Sequence, residues 1–273
     1  MRSAPYRPKK SLGQHFLHDG NIARNIVDAL DPAERDHVVE IGPGPGVLTA
    51  LLAERDIRLT AVEVDARAVS VLQERFAKDT TADMHIVNED VLSVDLQALA
   101  AGSSRALRLI GNLPYNITSQ ILFRMFAQQD VVRDAVFMMQ REVAARILAP
   151  PGGKEYGILS VVCGTHATVR KCFHVSPNVF VPRPKVWSTV LHFDLENNRL
   201  GEIENYSFFR MLVKATFGQR RKTLMNSLRQ LGRDRGDYPA EAMPYLSLRP
   251  EALSLTDFIT LSNIMVQHDR RQT

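Results

Sequence analysis

Cysteine is scarce: the 273 residues hold two, Cys163 and Cys172, nine positions apart with no Cys-x-x-Cys pair. Such a pair supplies neither a disulfide framework nor a structural zinc set, and it points to a reducing compartment. Long apolar runs are lacking too. The longest stretch without charge, Leu109–Phe123, spans 15 residues and is broken by Gly111, Asn112, Pro114 and Asn116, too short and too polar to cross a bilayer. The basic start, MRSAPYRPKK, has no apolar segment of the kind a secretory signal needs, so a cytoplasmic protein without a membrane partner is expected. Also missing are the Gly-x-Ser-x-Gly turn of serine hydrolases, the Gly-x-x-x-x-Gly-Lys-Ser/Thr phosphate loop and the His-Glu-x-x-His metal helix. His15 and His18 stand three apart, but no further His or Cys completes a ligand set, so no metal is expected.

What is present is an ordinary globular composition, 45% apolar and 23% charged, in a chain long enough for one large core and a smaller domain. The formal charge of +4 conceals a segregation. Residues 28–100 carry 6 Lys+Arg against 15 Asp+Glu, whereas the remainder carries 28 against 15. The densest basic stretch, Arg210 to Arg235, has eight cations (Arg210, Lys214, Arg220, Arg221, Lys222, Arg229, Arg233, Arg235) and one acid, Asp234. Clustering of that kind suits a polyanion, although a solvated helix face has the same composition.

Hydrophobic periodicity and turn signals divide the first 160 residues into alternating strands and helices. Strands are expected at His37–Ile41, Leu59–Val64, from His85, at Leu107–Gly111 and at Ala135–Gln140. Helices are expected at Asn21–Leu30, Val47–Ala53, Arg67–Phe76, about Ser119 to Ala127, and Arg141–Leu148. Helices interposed between strands imply parallel pairing with right-handed crossovers, hence an α/β doubly wound sheet whose ligands bind at the carboxyl ends of the strands. Past the turn Pro150-Pro151-Gly152-Gly153, two β-rich runs, Ile158–Thr165 and Val186–Phe193, are expected to complete the sheet with an antiparallel edge. From Asn205 onward the spacing of Phe209, Leu212, Val213, Thr216 and Phe217, then of Leu224, Leu228 and Leu231, is helical. The expected domains are therefore 1–196, with a basic N-terminal arm, and a small helical domain at 205–273, joined by the polar linker Glu196–Glu204.

Three clusters carry chemistry. Gly42-x-Gly44-x-Gly46 lies between an apolar strand and a helix, where absent Cβ atoms let the backbone approach a ligand, although structural turns use glycine for the same reason. Glu63, 21 residues past Gly42 at the end of the next strand, is placed to hold both hydroxyls of a ribose, and Glu89-Asp90 adds a carboxylate after the third strand. That spacing fits a dinucleotide or an adenosyl ligand, and Gly-x-Gly-x-Gly leans away from a pyrophosphate. The fourth strand ends in Asn112-Leu113-Pro114-Tyr115. Pro114 holds Leu113 extended, so its carbonyl can be aimed, while Asn112 offers an amide oxygen and Tyr115 a flat face. Two acceptors and an aromatic ring suit a planar base bearing an amine, whose lone pair they would direct at an electrophile.

These segments resemble the KsgA (RsmA) group of rRNA adenine dimethyltransferases, related to the Erm resistance methyltransferases. The likeness runs through Lys10–Leu17 (KSLGQHFL), Glu40–Thr49 (EIGPGPGVLT), Glu63-Val64-Asp65, Glu89-Asp90, Asn112–Asn116 (NLPYN), Tyr156-Gly157-x-Leu159-Ser160-Val161, Phe180-x-Pro182-x-Pro184-Lys185-Val186 and Phe217-x-x-Arg220-Arg221-Lys222-Thr223-Leu224. It implies a class I methyltransferase fold with a Rossmann-like sheet. Implied S-adenosylmethionine contacts are His15, Leu17, Gly42, Gly44, Glu63, Asp90 and Asn112. Many relatives have Asn where this chain has His15. Asn112, Leu113, Pro114 and Tyr115 would form the target-base pocket, and Phe180 would offer a second aromatic face opposite Tyr115. From the residues alone, Phe180 reads as a stacking ring on a stiff loop, with a core side chain as the competing reading. Arg220, Arg221 and Lys222 would contact RNA.

The expectation is thus an enzyme that uses S-adenosylmethionine, without metal, to dimethylate N6 of two adjacent adenosines in the 3′-terminal hairpin loop of 16S rRNA, as a monomer acting on an immature small subunit. A nicotinamide dehydrogenase would share the glycine turn and Glu63 but explains neither Asn-Leu-Pro-Tyr nor the basic helical segment. An Erm-type enzyme acting on large-subunit RNA is the nearest rival, and by resemblance the block Phe217–Leu228 (FGQRRKTLMNSL) leans toward the small-subunit enzyme; a non-catalytic RNA-docking factor would share the fold and the basic segment.

Overall fold

The computed structural model describes residues 14–76, 83–229 and 238–272. The expected basic arm, the first four residues of the KSLGQHFL segment, and Leu231, Arg233 and Arg235 lie outside them. The chain forms two compact units: residues up to Ala144 with Arg170–Glu196, and Ala145–Val169 with the chain from Asn197 onward.

The first unit contains β1 (Phe16–Leu17), α1 (Gly20–Leu30), β2 (His37–Ile41), α2 (Val47–Leu52), β3 (Arg58–Val62), α3 (Ala66–Arg75), β4 (Asp83–Val87), α4 (Leu96–Ala100), β5 (Leu107–Asn112), α5 (Thr118–Phe126) and β6 (Val132–Gln140). Helix α6 (Arg141–Leu148) leaves this unit for α7 (Ile158–His166), and β7 (Thr168–Val175), β8 (Phe180–Val181) and β9 (Ser188–Asp194) return to it. Seven strands run in the order β4-β3-β2-β5-β6-β9-β7, parallel from β4 to β6 and antiparallel at β6–β9; β1 and β8 form a separate antiparallel ribbon. The expected doubly wound sheet is present. Every residue of β2 is buried, as a strand covered on both faces requires. Helix α1 starts where Asp19 accepts from the Asn21 and Ile22 amides, and it buries Ala23, Ile26, Val27 and Leu30.

Strand β2 has β3 on one side and β5 on the other, so successive connections depart in opposite directions there and leave a crevice at the carboxyl ends. Gly111 fixes that junction: a Cβ on it would stand 2.5 Å from the Ile41 carbonyl oxygen. At the opposite ends of the same strands sits a buried charge cluster. Arg108, 4% exposed, donates to both Asp134 oxygens, to Asp36 and to the carbonyls of Leu30 and Asp31.

The second unit gathers Phe209, Leu212 and Val213 of α8 (Tyr206–Gly218), Leu224 and Leu228 of α9 (Leu224–Leu228), Leu246 of α10 (Met243–Leu246), and Phe258, Leu261 and Met265 of α11 (Leu255–Gln272) into one core. Tyr156 and Val161 belong to the same core. Ile158–Thr165, expected as a strand, is therefore helix α7, and residues 145–169 join the helical unit instead of an uninterrupted 1–196 domain. A short apolar run buried nearly all round has no period to betray it. The Ser160 hydroxyl starts this helix by accepting from the Gly157 amide and donating to the Arg146 carbonyl. Strand β7 was not expected, because its TVRKCFHV pattern is largely exposed and basic, as sheet edges are.

Candidate active site

The carboxyl ends of β2, β3 and β5 frame a cavity of about 220 Å³, and Gln14, His15 and Phe16 close part of its wall. The glycine turn follows β2. Gly42, at φ 66°, donates to the Val62 carbonyl, and a Cβ placed on it would meet nothing within 4 Å, so the backbone there borders open space. Gly44, at φ 55°, donates to Glu63 Oε2 at 3.0 Å, and a Cβ there would press on the Phe16 ring at 2.9 Å. Glu63 Oε1 accepts from the Asp65 amide at 2.9 Å. Glu63 thus props the glycine turn, and each of its oxygens keeps a lone pair for a further donor such as a hydroxyl. Burial raises its pKa above the usual carboxylate range, against the pull of the Asp65 and Gly44 N–H groups.

Glu40, in β2 and 1% exposed, opens the EIGPGPGVLT segment but was not among the expected site residues. Burial pushes its carboxyl up to about 7; the Thr49 hydroxyl, donating at 2.7 Å, opposes that shift, and the charge of Glu63 adds to it. Asp90 is exposed on the cavity wall after β4, with Oδ1 accepting from the Leu92 amide at 2.9 Å.

Asn112 closes β5. Its Nδ2 donates to the His15 carbonyl at 2.8 Å, which fixes the amide and turns Oδ1 into its acceptor for a ligand. The Leu113 amide is tied to the Met138 carbonyl at 3.0 Å, and the Pro114 carbonyl accepts from the Thr118 hydroxyl at 3.0 Å. The Tyr115 hydroxyl lies 2.7 Å from Ser188 Oγ of β9. Burial raises the Tyr115 pKa, and the Ser188 bond works against it. All four residues of Asn-Leu-Pro-Tyr line the cavity together with Gly42, Gly44, Glu63, Asp90 and His15.

Three expected positions stand elsewhere or otherwise engaged. Phe180 is 2% exposed, pairs with Leu17 in the β1–β8 ribbon and packs in the core with Val175, so it lines no part of the cavity. The aromatic ring on Tyr115 is instead His15, at 5.3 Å and 29° between planes. His15 Nδ1 is 2.7 Å from the Pro182 carbonyl, which can only accept, so this nitrogen carries the hydrogen. Leu17, 5% exposed, also packs in that core, and Phe16 beside it is the residue that faces the cavity. In the second unit, Arg220 donates to the Gly153 and Lys154 carbonyls, both at 2.6 Å, and clamps the Pro150–Gly153 turn; Arg221 and Lys222 are exposed.

Residues not foreseen on the wall include Gln14, Phe16, Leu92 and Ile117. Val64 had a visible signal, since an apolar residue between the acids Glu63 and Asp65 is half exposed where a strand would bury it. Ser188 had none, being 73 residues from its partner.

Among known structures, a dimethyladenosine transferase from Plasmodium falciparum superposes with a TM-score of 0.79 at 22% identity, over 93% of this chain and 98% of that one. The 23S rRNA methyltransferase ErmE superposes with a TM-score of 0.67 at 21% identity, over 91% and 99%. The strand order with its antiparallel β9 and the cavity at the switch point make this a class I methyltransferase fold with C-terminal helices. In sequence the chain is 42% identical to the ribosomal RNA small subunit methyltransferase A of Francisella tularensis subsp. tularensis strain WY96-3418, over 95% of this chain and 98% of that protein. It is 41% identical to that of subsp. novicida strain U112 over the same shares. The model of the family named ribosomal RNA adenine dimethylase matches residues 6–243, and the chain belongs to that family.

Proposed function

We propose that this chain transfers methyl groups from S-adenosylmethionine to N6 of two adjacent adenosines in the 3′-terminal hairpin loop of 16S rRNA, acting in the cytoplasm as a monomer on an immature small subunit. The observation that carries this is Asn112: its amide nitrogen is committed to the His15 carbonyl, which leaves Oδ1 as an acceptor for an amine in the same cavity as the glycine turn and Glu63.

The cavity fits the donor. Gly42 borders open space, Glu63 keeps acceptor capacity on both oxygens for ribose hydroxyls, and Asp90 on the wall would accept from an adenine amine. When bound there, S-adenosylmethionine supplies an electrophilic methyl on a sulfonium. An adenine amine is a poor nucleophile because its lone pair is delocalised into the ring. Asn112 Oδ1 and the Leu113 carbonyl accept its two hydrogens, which favours pyramidal nitrogen and aims the lone pair. Pro114 keeps Leu113 extended, and Tyr115 offers its face to the extruded base. Because His15 already covers one face of Tyr115, a base stacking there takes the place of the imidazole. The proton leaves after transfer, so no side chain has to abstract it beforehand.

In the helical unit, Arg221 and Lys222 contact the RNA backbone, while Arg220 acts through the turn it clamps.

Transfer of labelled methyl to small-subunit particles lacking this modification, with large-subunit particles in parallel, tests the reading. Dimethyladenosine only in small-subunit RNA is the expected result. Label in large-subunit RNA alone would establish an Erm-type activity, and binding without label a docking factor.

A further inference from the structure

Trp187 is the only tryptophan of the chain and is 47% exposed. The apolar side chains of Val181 and Val186 in the same segment are 56% and 42% exposed. A side chain of this size that stays in water forgoes the stabilisation its burial would give, so its position calls for a partner.

The backbone beneath the indole is held firmly. The Trp187 carbonyl accepts from the Arg141 amide at 2.9 Å, at the start of α6. The next residue, Ser188, is buried, is paired with Gln140 across β6–β9, and holds the Tyr115 hydroxyl. Trp187 is therefore one residue away from the hydrogen bond that sets the Tyr115 ring in the cavity.

The surroundings are cationic. Arg183 and Lys185 are exposed in the same segment, and Arg141 is exposed at the head of α6. Lys171 and Arg141 both act on His174, whose Nδ1 contacts the Thr189 hydroxyl two residues beyond Trp187. Glu142 is the acid on the first turn of α6. An aromatic face on a fixed backbone, edged by Arg and Lys, has the composition of single-stranded nucleic-acid platforms, in which bases stack and cations follow the phosphates.

We infer that Trp187, with Arg141, Arg183 and Lys185, is a stacking platform for an unpaired RNA nucleotide flanking the one whose base enters the cavity. This rests on the reading of the cavity as an RNA adenine site, and it adds a separate point of contact. Charge complementarity favours RNA over a second copy of this chain, whose matching face would carry the same cations.

Because Trp187 is the sole tryptophan, its emission reports this position alone. The full chain is titrated with a single-stranded adenosine-rich oligoribonucleotide and with the same strand made abasic beside the target adenosine. The expected result is quenching by the first and binding with little quenching by the second. Trp187→Ala is expected to weaken oligonucleotide binding by about 5- to 150-fold, the range of one base–aromatic stack, with Trp187→Phe retaining most of the affinity. S-Adenosylmethionine binding should be unchanged in both variants, and in methyl transfer the loss should fall on KM for RNA and not on kcat. Emission unmoved by bound RNA, or a Trp187→Ala variant that binds RNA like the parent, would overturn the platform while leaving the methyl-transfer reading intact. Emission that changes with protein concentration in the absence of RNA would assign the face to a second copy. Failure of the parent chain to bind RNA at all would overturn both readings.

Discussion

Buried charge sits at both ends of the parallel strands, and the two clusters are built on opposite terms. At the amino ends, all five N–H groups of Arg108 are taken up by Asp36, Asp134 and two carbonyls. Burial alone would raise both aspartates, but the Ala33 amide with Arg108 and Arg105 pulls Asp36 below the usual range, and Arg108 with His192 does the same for Asp134. At the carboxyl ends, a hydroxyl and backbone amides are the donors to Glu40 and Glu63, no cation among the described residues answers either, and burial drives both upward. The closed cluster ties down the sheet and has nothing left to offer. The open one holds acceptors in excess, which suits a ligand bearing hydroxyls and positive charge.

The largest effect is expected from opening the closed cluster. Arg108→Ala strands two buried carboxylates and should cost about 3–5 kcal/mol in urea unfolding; a variant as stable as the parent would erase the distinction between the two ends. Removing an acceptor from the open end should do the reverse. Asn112→Ala should lower methyl transfer by roughly 10²–10³-fold, the usual cost of losing one preorganised polar group, with the unfolding midpoint unchanged. Near-normal turnover would return Asn112 to a purely structural part.

The pH dependence sharpens the contrast, because the signs differ. The Glu40 carboxyl holds its proton more tightly folded, about 7, than unfolded, about 4.5, so its contribution to stability is full below pH 4.5 and is lost as pH rises to 7. Glu40→Gln should remove that slope and be more stable than the parent above pH 7, by about 3 kcal/mol at most. Asp36 and Asp134 bind protons more weakly folded, so their contribution is present above the ordinary carboxylate range and is lost as pH falls below it. Stability curves of Glu40→Gln and parent that stay parallel from pH 4.5 to 7 would contradict this account of Glu40.

The helical unit repeats the contrast in miniature, with Arg220 spent on two carbonyls and Arg221 and Lys222 exposed. Arg221→Ala with Lys222→Ala should flatten the salt dependence of RNA binding by about 0.7 per lost single-strand phosphate contact, and Arg220→Ala should act instead on stability. An unchanged slope in the double variant would make these cations an ordinary solvated face.

Much of the parallel sheet was legible because runs such as HVVEI and LRLIG are buried on both faces and bounded by turn residues. The cavity was legible where residues close in sequence act together, as in Gly42–Gly46 and Asn112–Tyr115. What sequence could not disclose depends on distant partners. Helix α7 is apolar nearly all round, so it mimics a buried strand, and β7 at the edge mimics a loop. Phe180 became a core side chain through its pairing with Leu17, and Arg220 became a clamp only once residues 153 and 154 were beside it. Nothing near Tyr115 announced Ser188, and nothing near His15 announced Pro182.

That last bond has a consequence in time. His15 and the Pro182 carbonyl that it grips are separated by 167 residues, so the wall of the cavity closes only when both ends of that span have been made. At elongation rates of 5–20 residues per second, roughly 8–33 s pass between the emergence of one and of the other. Until then strands β2 to β6 can pair while that stretch of the wall is open, so a nascent chain of this protein is a sheet in waiting before it is a catalyst.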